Sequence, residues 1–227
     1  MSDLLYFSER TLQEVCLGIM ALTYVLRIIW FLKHKPGKER QAPTGAMDTT
    51  PRKGILYSWA NILMPWAMES TRTKKFLYAQ FVVFHLGVIA AIALSFIIPY
   101  GPGLLESKGF VIFIQILTGA ACIVGVLRII RRVSSANLRA ISSPDDYFAT
   151  VLLTVWFFFA TLAAPNDISG GEGIVLTYFL LTAFFLLYVP HSKISHYLYY
   201  PFTRYYLGKS LGYRGSYPVR RGPQTNS

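Results

Sequence analysis

The sequence predicts an all-α membrane protein, a bundle of five transmembrane helices with its N-terminus outside and its C-terminus in the cytoplasm. Three observations lead to this prediction. Hydrophobic residues make up 53% of the 227 residues and charged residues only 15%, a composition too apolar for an ordinary water-soluble domain. Five apolar runs approach the roughly 20 residues that a helix needs to cross a bilayer. Most basic residues lie in the loops that join these runs.

The predicted spans follow the apolar runs, at about residues 11–32, 76–99, 110–128, 147–164 and 174–196. The fourth run is short, but Ser143-Pro144-Asp145-Asp146 before it has an N-cap serine, a proline at the first helical position and acids in the first turn. None of the runs alternates polar and apolar residues with period 2, and an open sheet would leave its edge unsatisfied in lipid. Helices are therefore predicted for all five.

The positions of Lys and Arg orient the bundle. Nine lie between the first and second spans, four between the third and fourth, and six from Lys193 onward, so that nineteen of the 22 fall on one side. The positive-inside rule assigns that side to the cytoplasm. The net charge of +11 is accordingly attributed to membrane topology and contact with lipid headgroups, and not to nucleic-acid binding.

The chain is divided into a five-helix domain over residues 1–206, with a cytoplasmic loop at 33–75, and a basic cytoplasmic tail over residues 207–227. Within the loop, residues 35–53 are rich in Pro, Gly, Thr and charge, and we expect them to be mobile or ordered by a partner. Residues 57–68 are rich in aromatic and long apolar side chains, which suits a segment on the membrane interface.

His85 is the candidate functional residue within an apolar run. It lies about nine residues into the second span, and therefore ~13 Å from the cytoplasmic end at 1.5 Å per residue. An imidazole at that depth needs a partner, and three roles stay open: a haem ligand, a proton-relay group or a polar contact between helices. Gly87 and the alanines after it would let either a flat macrocycle or another helix approach closely.

His191 and His196 lie at the end of the fifth run. They are five residues apart, about 140° around a helix, so that at most one of them shares a haem with His85. His191 is nearer to the expected depth of His85, whereas His196 needs the helix to continue past Pro190. A solvated pair at the membrane surface is the alternative. His34 is flanked by lysines, and we expect it to be solvated.

Several short motifs resemble those of one family. Phe84-His85-Leu86-Gly87 resembles the Phe-His-Ile-Gly segment of the cytochrome b (gamma) subunit of respiratory nitrate reductase. Pro190-His191-Ser192-Lys193-Ile194-Ser195-His196 resembles Pro-Phe-Ser-Arg-Leu-Val-His at the end of that family's fifth helix. A third match lies between the third and fourth spans, as it does in that family. It extends from Arg131-Arg132 to Arg139-Ala140 and is followed by Asp146. The resemblance extends over nearly all five helices.

The tail Tyr199-Tyr200-Pro201-Phe202-Thr203-Arg204 is similar to the relatives in sulfate reducers, in particular the cytochrome b subunit of the complex built around a high-molecular-weight cytochrome c.

The resemblance implies a bis-histidine haem b near the cytoplasm, with His85 and His196 as axial ligands and His191 as the alternative to His196. The family's second, outer haem needs histidines where this chain has Ser95 and Tyr178, so that one haem is predicted. The implied function is that of a b-type cytochrome subunit in the cytoplasmic membrane of a prokaryote. It would carry electrons between menaquinol, or a periplasmic multihaem cytochrome c, and a cytoplasmic iron–sulfur subunit similar to heterodisulfide reductase.

Basic residues at the predicted cytoplasmic mouth could meet either haem propionates or lipid phosphates; they are Lys193, Arg204, Arg131 and Arg132. The resemblance also implies a quinone site: Glu106-Ser107-Lys108 is similar to a Glu-Val-Lys segment whose lysine lies near the family's quinol pocket. With the adjacent haem missing, electrons leaving a pocket at Lys108 would have to cross a longer gap.

Two rival functions use the same residues differently. The first is a haem-free membrane anchor or scaffold subunit of a redox complex. The second is a small transporter or proton channel with the histidines as a relay, although the spans contain no paired carboxylates and no broken-helix repeats. Two cysteines, Cys16 and Cys122, are too few for this chain alone to hold an iron–sulfur cluster.

Overall fold

The computed structural model describes residues 1–34, 37, 40–62, 64 and 72–219. The described residues form helices and no strands. In chain order the α-helices are α1 (Asp3–Glu9), α2 (Thr11–Lys33), α3 (Pro51–Ala60), α4 (Lys75–Tyr100), α5 (Lys108–Ser134), α6 (Ala136–Ile141), α7 (Pro144–Ala163), α8 (Gly173–Tyr188) and α9 (His196–Tyr213). Short 3₁₀ segments lie at Pro102–Glu106, Val189–His191 and Lys193–Ser195. Parts of the predicted mobile loop (35, 36, 38, 39), of the interfacial segment (63, 65–68) and of the tail (220–227) lie outside the described residues.

Five helical stretches in the described chain are long and apolar enough to cross a membrane: Asp3–Lys33, Lys75–Tyr100, Lys108–Ser134, Pro144–Ala163 and Gly173–His191. The all-α class and the five spans are thus confirmed. The first stretch is longer than predicted because α1 extends it toward the N-terminus, with a change of backbone direction at Arg10 (φ −118°, ψ −82°). Large apolar side chains on the outside of these helices, such as Ile89 and Ile116, are exposed, as a lipid-facing surface requires.

Serine caps begin the spanning helices α5 and α7. Ser143 precedes α7, Pro144 is its first residue, and the Asp146 carboxylate accepts a hydrogen bond from the Ser143 backbone N–H at 2.8 Å. The Ser107 hydroxyl likewise accepts from the N–H of Phe110 at the start of α5. These bonds satisfy N–H groups that have no partner within the helix, which is why the helices start where the serines stand.

The chain forms two compact units, of which the first comprises residues 1–28 and 76–194. Its core consists of aromatic and small side chains from α4, α5, α7 and α8. Tyr178, Phe157 and Phe179 are fully buried, and the Trp156 ring lies parallel to that of Tyr178 at 6.4 Å. Trp156 donates from its indole N–H to the Thr182 hydroxyl at 2.9 Å, so that its polar atom is satisfied inside the core.

Glycines let the spanning helices approach closely at two places in this unit. A Cβ on Gly87 of α4 would lie 2.1 Å from Cβ of Ala121 on α5. A Cβ on Gly125 of α5 would lie 2.3 Å from the hydroxyl of Thr154 on α7. Small residues at such crossings are how membrane helices gain packing contacts where no hydrophobic driving force exists.

The second unit comprises residues 29–75 and 195–227, and its centre is the crossing of α3 and α9. A Cβ on Gly54 would lie 2.2 Å from the carbonyl oxygen of Gly208, and one on Gly212 would lie 2.6 Å from the carbonyl oxygen of Thr50. The Ser58 hydroxyl donates to the Arg204 carbonyl at 2.8 Å. Part of the loop predicted to be mobile or partner-ordered is therefore ordered by the chain's own C-terminal helix.

The end of α2 also packs within this second unit. The Phe31 ring is surrounded by the rings of Tyr199, Phe202 and Tyr206 of α9, with centroids 5.5 to 6.4 Å apart. Helix α9 continues past residue 207, where the sequence placed the start of a basic tail, and it ends at Tyr213.

The prediction that the fifth helix extends to residue 196 is wrong. Helix α8 ends at Tyr188, two 3₁₀ turns follow, and His196 is the first residue of a new helix. Pro190 has no N–H to donate, and its ring crowds the carbonyl one turn earlier, so that a regular α-helix cannot pass through it without a kink. The chain instead adopts an extended conformation at Ser192 (φ −110°, ψ 172°).

Candidate functional site

His85 lies on α4 with its ring orientation fixed by the helix itself. Its Nδ1 is 2.7 Å from the Phe81 carbonyl oxygen, one turn earlier. Because a carbonyl can only accept, Nδ1 carries the proton, and Nε2 is the nitrogen with the lone pair. A neutral imidazole held in this way has the tautomer that metal-ligating histidines adopt when a backbone carbonyl orients them.

Aromatic rings surround the turn that carries His85. The Phe81 ring lies 4.1 Å from the imidazole, and the buried Phe84 ring packs edge-on against Phe157 at 5.1 Å. The guanidinium of Arg128 on α5 lies over the Phe84 ring, 4.3 Å from its centroid. The half-buried imidazole thus stands in an apolar setting, with a cation on the neighbouring residue.

The small residues after His85 are used for helix packing. Gly87 is covered by Ala121 of α5, and the fully buried Ala91 accepts a hydrogen bond on its carbonyl oxygen from the Tyr178 hydroxyl at 2.5 Å. Of the two explanations for these small residues, close approach of another helix is the one observed.

His191 interacts with an arginine from the first span. Nη2 of Arg27 is 3.0 Å from Nδ1 of His191, and the same guanidinium donates to the Pro190 carbonyl. A guanidinium can only donate, so that Nδ1 of His191 accepts and the proton of the neutral ring is on Nε2. Iron could bind Nε2 of His191 only after that nitrogen lost its proton, and it could bind Nδ1 only after the contact with Arg27 was broken.

The other histidines lie in the second unit. His196 is exposed and begins α9, whereas His34 is exposed at the end of α2. The Nδ1 atom of His34 is 2.8 Å from the Trp30 carbonyl, and its ring packs against that of Trp30 at 4.5 Å.

The four basic residues predicted to meet haem propionates or lipid phosphates do not share one environment. Lys193 binds the Asp146 carboxylate at 3.0 Å and the Ser143 hydroxyl at 2.8 Å, and Arg132 is 3.8 Å from the same carboxylate. Arg204 donates twice to the Ser58 carbonyl within the second unit. Arg131 is exposed. Asp146 therefore joins the start of α7 to the turn after α8.

Ser95 and Tyr178, at the positions where the family has its other haem ligands, occupy the buried core. The Ser95 hydroxyl donates to the Ile92 carbonyl at 2.8 Å and also lies within hydrogen-bonding reach of Tyr178. The Tyr178 ring is completely enclosed, and its hydroxyl is bonded to Ala91. Both positions are filled by protein contacts.

The opposite end of the first unit is closed by polar contacts. Arg10 donates to the Pro99 carbonyl at 2.6 Å, and Gln13 donates to the Phe179 carbonyl at 2.8 Å. Ser2 donates from its backbone and its hydroxyl to Glu172, and these bonds lower the pKa of the Glu172 carboxyl. Lys108 is the exposed first residue of α5, and its side chain makes no hydrogen bond or ion pair with the residues that the structure describes.

Two charged residues inside apolar runs were not singled out by the sequence: Arg27 and Arg128. Arg27 and Arg128 could have been found, because an arginine inside an apolar run is as costly as the histidine that was noticed. Asp146 was recognised as a helix cap, but its role as the shared partner of Arg132 and Lys193 depends on the fold. Within the described residues, no group of three His, Cys, Asp or Glu side chains could hold a metal ion.

Charge is divided unevenly between the two units. The first unit contains eight basic and eight acidic residues, whereas the second contains fourteen basic and three acidic residues. The whole net charge of +11 thus belongs to the second unit.

Comparison with known proteins gives one distant relative. The chain is 23% identical over 205 residues to a protein of Nitratidesulfovibrio vulgaris, an alignment that covers 88% of this chain and 87% of the relative. That relative is described only as a protein, with no stated function. No protein-family profile matches the chain, and no solved structure matches it.

Proposed function

We propose that the protein is an integral-membrane b-type cytochrome subunit that binds one haem through His85 and His196. It would transfer electrons between menaquinol or a periplasmic multihaem cytochrome c and a cytoplasmic iron–sulfur subunit. The observation that carries the proposal is the tautomer of His85: its Nδ1–H is bonded to the Phe81 carbonyl, so that Nε2 has the lone pair that iron requires. A neutral imidazole of this kind is the axial ligand that a low-spin haem b uses.

The second ligand is proposed to be His196, six residues after Pro190, as the motif predicts. His196 begins α9, and its side chain is exposed, as is that of His191. Arg27 donates to Nδ1 of His191, which leaves a protonated Nε2 on that ring. This contact argues against His191 as the ligand.

A single haem is proposed because the positions of the family's outer ligands are filled. Tyr178 is bonded to Ala91 and stacked on Trp156, and a phenol does not replace a neutral imidazole in a low-spin electron-transfer haem. The haem supplies one-electron transfer, while the protein's residues bind it, exclude water and set its potential. Phe81, Phe84 and Phe157 would exclude water near His85.

Orientation and partners follow from charge. The excess of basic residues in the second unit favours a cytoplasmic location for it by the positive-inside rule, with the N-terminus outside. A prokaryotic cytoplasmic membrane is the location consistent with that arrangement. The composition of this unit, with fourteen basic and three acidic residues, also suits an acidic cytoplasmic partner.

A haem-free membrane anchor is the second candidate. It is favoured by the contact between Gly87 and Ala121, where the small residues beside His85 accommodate a helix. In such an anchor, His85 would be a polar residue satisfied by its own helix through the Phe81 carbonyl.

A redox difference spectrum of the purified protein distinguishes the two functions. We expect the dithionite-reduced wild type to show the α band of a low-spin b haem, and His85→Ala to lose it because one axial position is left open. His34→Ala is the matched control, since that histidine is exposed and bonded to Trp30. A wild-type protein without the band would favour the anchor, and a normal band at full stoichiometry in His85→Ala would refute the assignment of His85.

A further inference from the structure

Arg128 is a membrane arginine without an anionic partner among the described residues. It lies in α5, six residues before the helix ends at Ser134, and it is only partly exposed. Its guanidinium lies over the Phe84 ring, 4.3 Å from the centroid. The charges that act most strongly on it are Arg131 and Arg132, both cations.

Two other arginines of the spanning helices find polar partners from neighbouring segments. Arg27 donates to the Pro190 carbonyl, and Arg132 donates to the Ser142 hydroxyl and lies 3.8 Å from the Asp146 carboxylate. An aromatic face compensates a cation only in part, and a charged group in the membrane without a counter-ion is costly. Arg128 therefore has the donors and the charge to bind an anion.

We propose that Arg128 binds a propionate carboxylate of the haem held by His85. This inference rests on the proposed function. Arg128 covers Phe84, the residue directly before His85, whereas Lys193 and Arg132 are already paired with Asp146 and Arg204 with the Ser58 carbonyl. The planar guanidinium presents paired N–H donors that match a carboxylate bidentately. A phospholipid phosphate has the same chemistry and is the competing source of the anion.

The midpoint potential of the haem is the quantity that tests this contact. A cation at a propionate stabilises the reduced, less positive haem, so that Arg128→Gln should lower the potential. We expect the reduction equilibrium constant to fall about tenfold, which is ~59 mV for one electron. Arg139→Gln is the matched control, because it removes the same charge from an exposed side chain that donates to the Val133 carbonyl and whose field water screens. Arg128→Lys keeps the charge but not the paired donors, and its potential should lie between those of the wild type and Arg128→Gln.

Spectroelectrochemical titrations would be carried out on the full chain in a detergent free of phospholipid and in phosphatidylglycerol nanodiscs. The inference requires the Arg128→Gln shift in both media. A shift that appears only in the nanodiscs would make the lipid phosphate the ligand and overturn the inference. Equal shifts in Arg128→Gln and Arg139→Gln would also overturn it. In either case, a b-haem spectrum in the wild type leaves the proposed function intact. If Arg128→Gln does not fold, Arg128→Lys provides the test. A midpoint potential in Arg128→Lys equal to that of the wild type would then overturn the inference that the paired donors of Arg128 bind a propionate. A wild type without haem would overturn both.

Discussion

Replacing Gly87 with alanine tests the closest approach of two spanning helices, two residues from His85. The added Cβ would lie 2.1 Å from Cβ of Ala121 and 3.1 Å from the Leu117 carbonyl oxygen. Carbon atoms in contact stay about 3.5–4.0 Å apart, so that α4 and α5 would have to separate locally by about 1.5 Å. Forcing an extra methyl group into a packed interior typically costs about 1–3 kcal/mol.

Part of this cost is offset because alanine is a better helix former than glycine by roughly 0.5–1 kcal/mol. The net loss expected for Gly87→Ala is therefore about 1–2 kcal/mol of unfolding free energy. At about 2–4 °C per kcal/mol for a chain of this size, the unfolding midpoint should fall by roughly 2–8 °C. The double variant Gly87→Ala with Ala121→Gly moves the methyl group to the other helix, and it should recover most of the loss.

The protein contains its own reporters for this measurement. Cys16 is buried, Cys122 is partly buried, and both are free thiols. A thiol-reactive fluorogenic dye in detergent will therefore report unfolding as the temperature rises. Gly119→Ala is the matched control on α5, because its new methyl group would meet Thr161 at an ordinary 3.7 Å. If Gly87→Ala and Gly119→Ala unfolded at the same temperature, the close contact between α4 and α5 would be wrong.

Three further predictions concern the haem and the turn after α8. A pyridine haemochrome assay on the isolated chain should give one haem per polypeptide, and two haems would contradict the proposed single site. His196→Ala should lose the b-haem spectrum and His191→Ala should retain it; the reverse result would transfer the ligand to His191. Asp146→Ala should lower the unfolding free energy by about 1–2 kcal/mol, because it removes a helix cap and the shared partner of Lys193 and Arg132. An unchanged midpoint in the dye assay would show that this carboxylate does not hold the turn.

The sequence by itself determined the all-α membrane class, the five spans and the start of α7. Apolar runs of membrane length show their structure without reference to the rest of the chain, because every backbone polar group in lipid must be satisfied within the helix. The start of α7 is equally local, since Ser143, Pro144 and Asp146 satisfy the first N–H groups among themselves. The same local signals, Thr50 and Pro51, stand before α3. They stand inside a segment whose composition of Pro, Gly, Thr and charge predicts no core of its own.

Only the tertiary structure decided where the polar groups of distant segments meet. Pro190 by itself predicts a kink, but it does not say whether the helix resumes after it. In the structure the Pro190 carbonyl accepts a hydrogen bond from Arg27, a residue 163 positions away in the sequence. The tautomers of His85 and His191 likewise follow from their partners, a local carbonyl in one case and a distant guanidinium in the other. Residue type establishes that a buried charge or imidazole needs a partner, whereas only the packing of the helices determines which partner it finds.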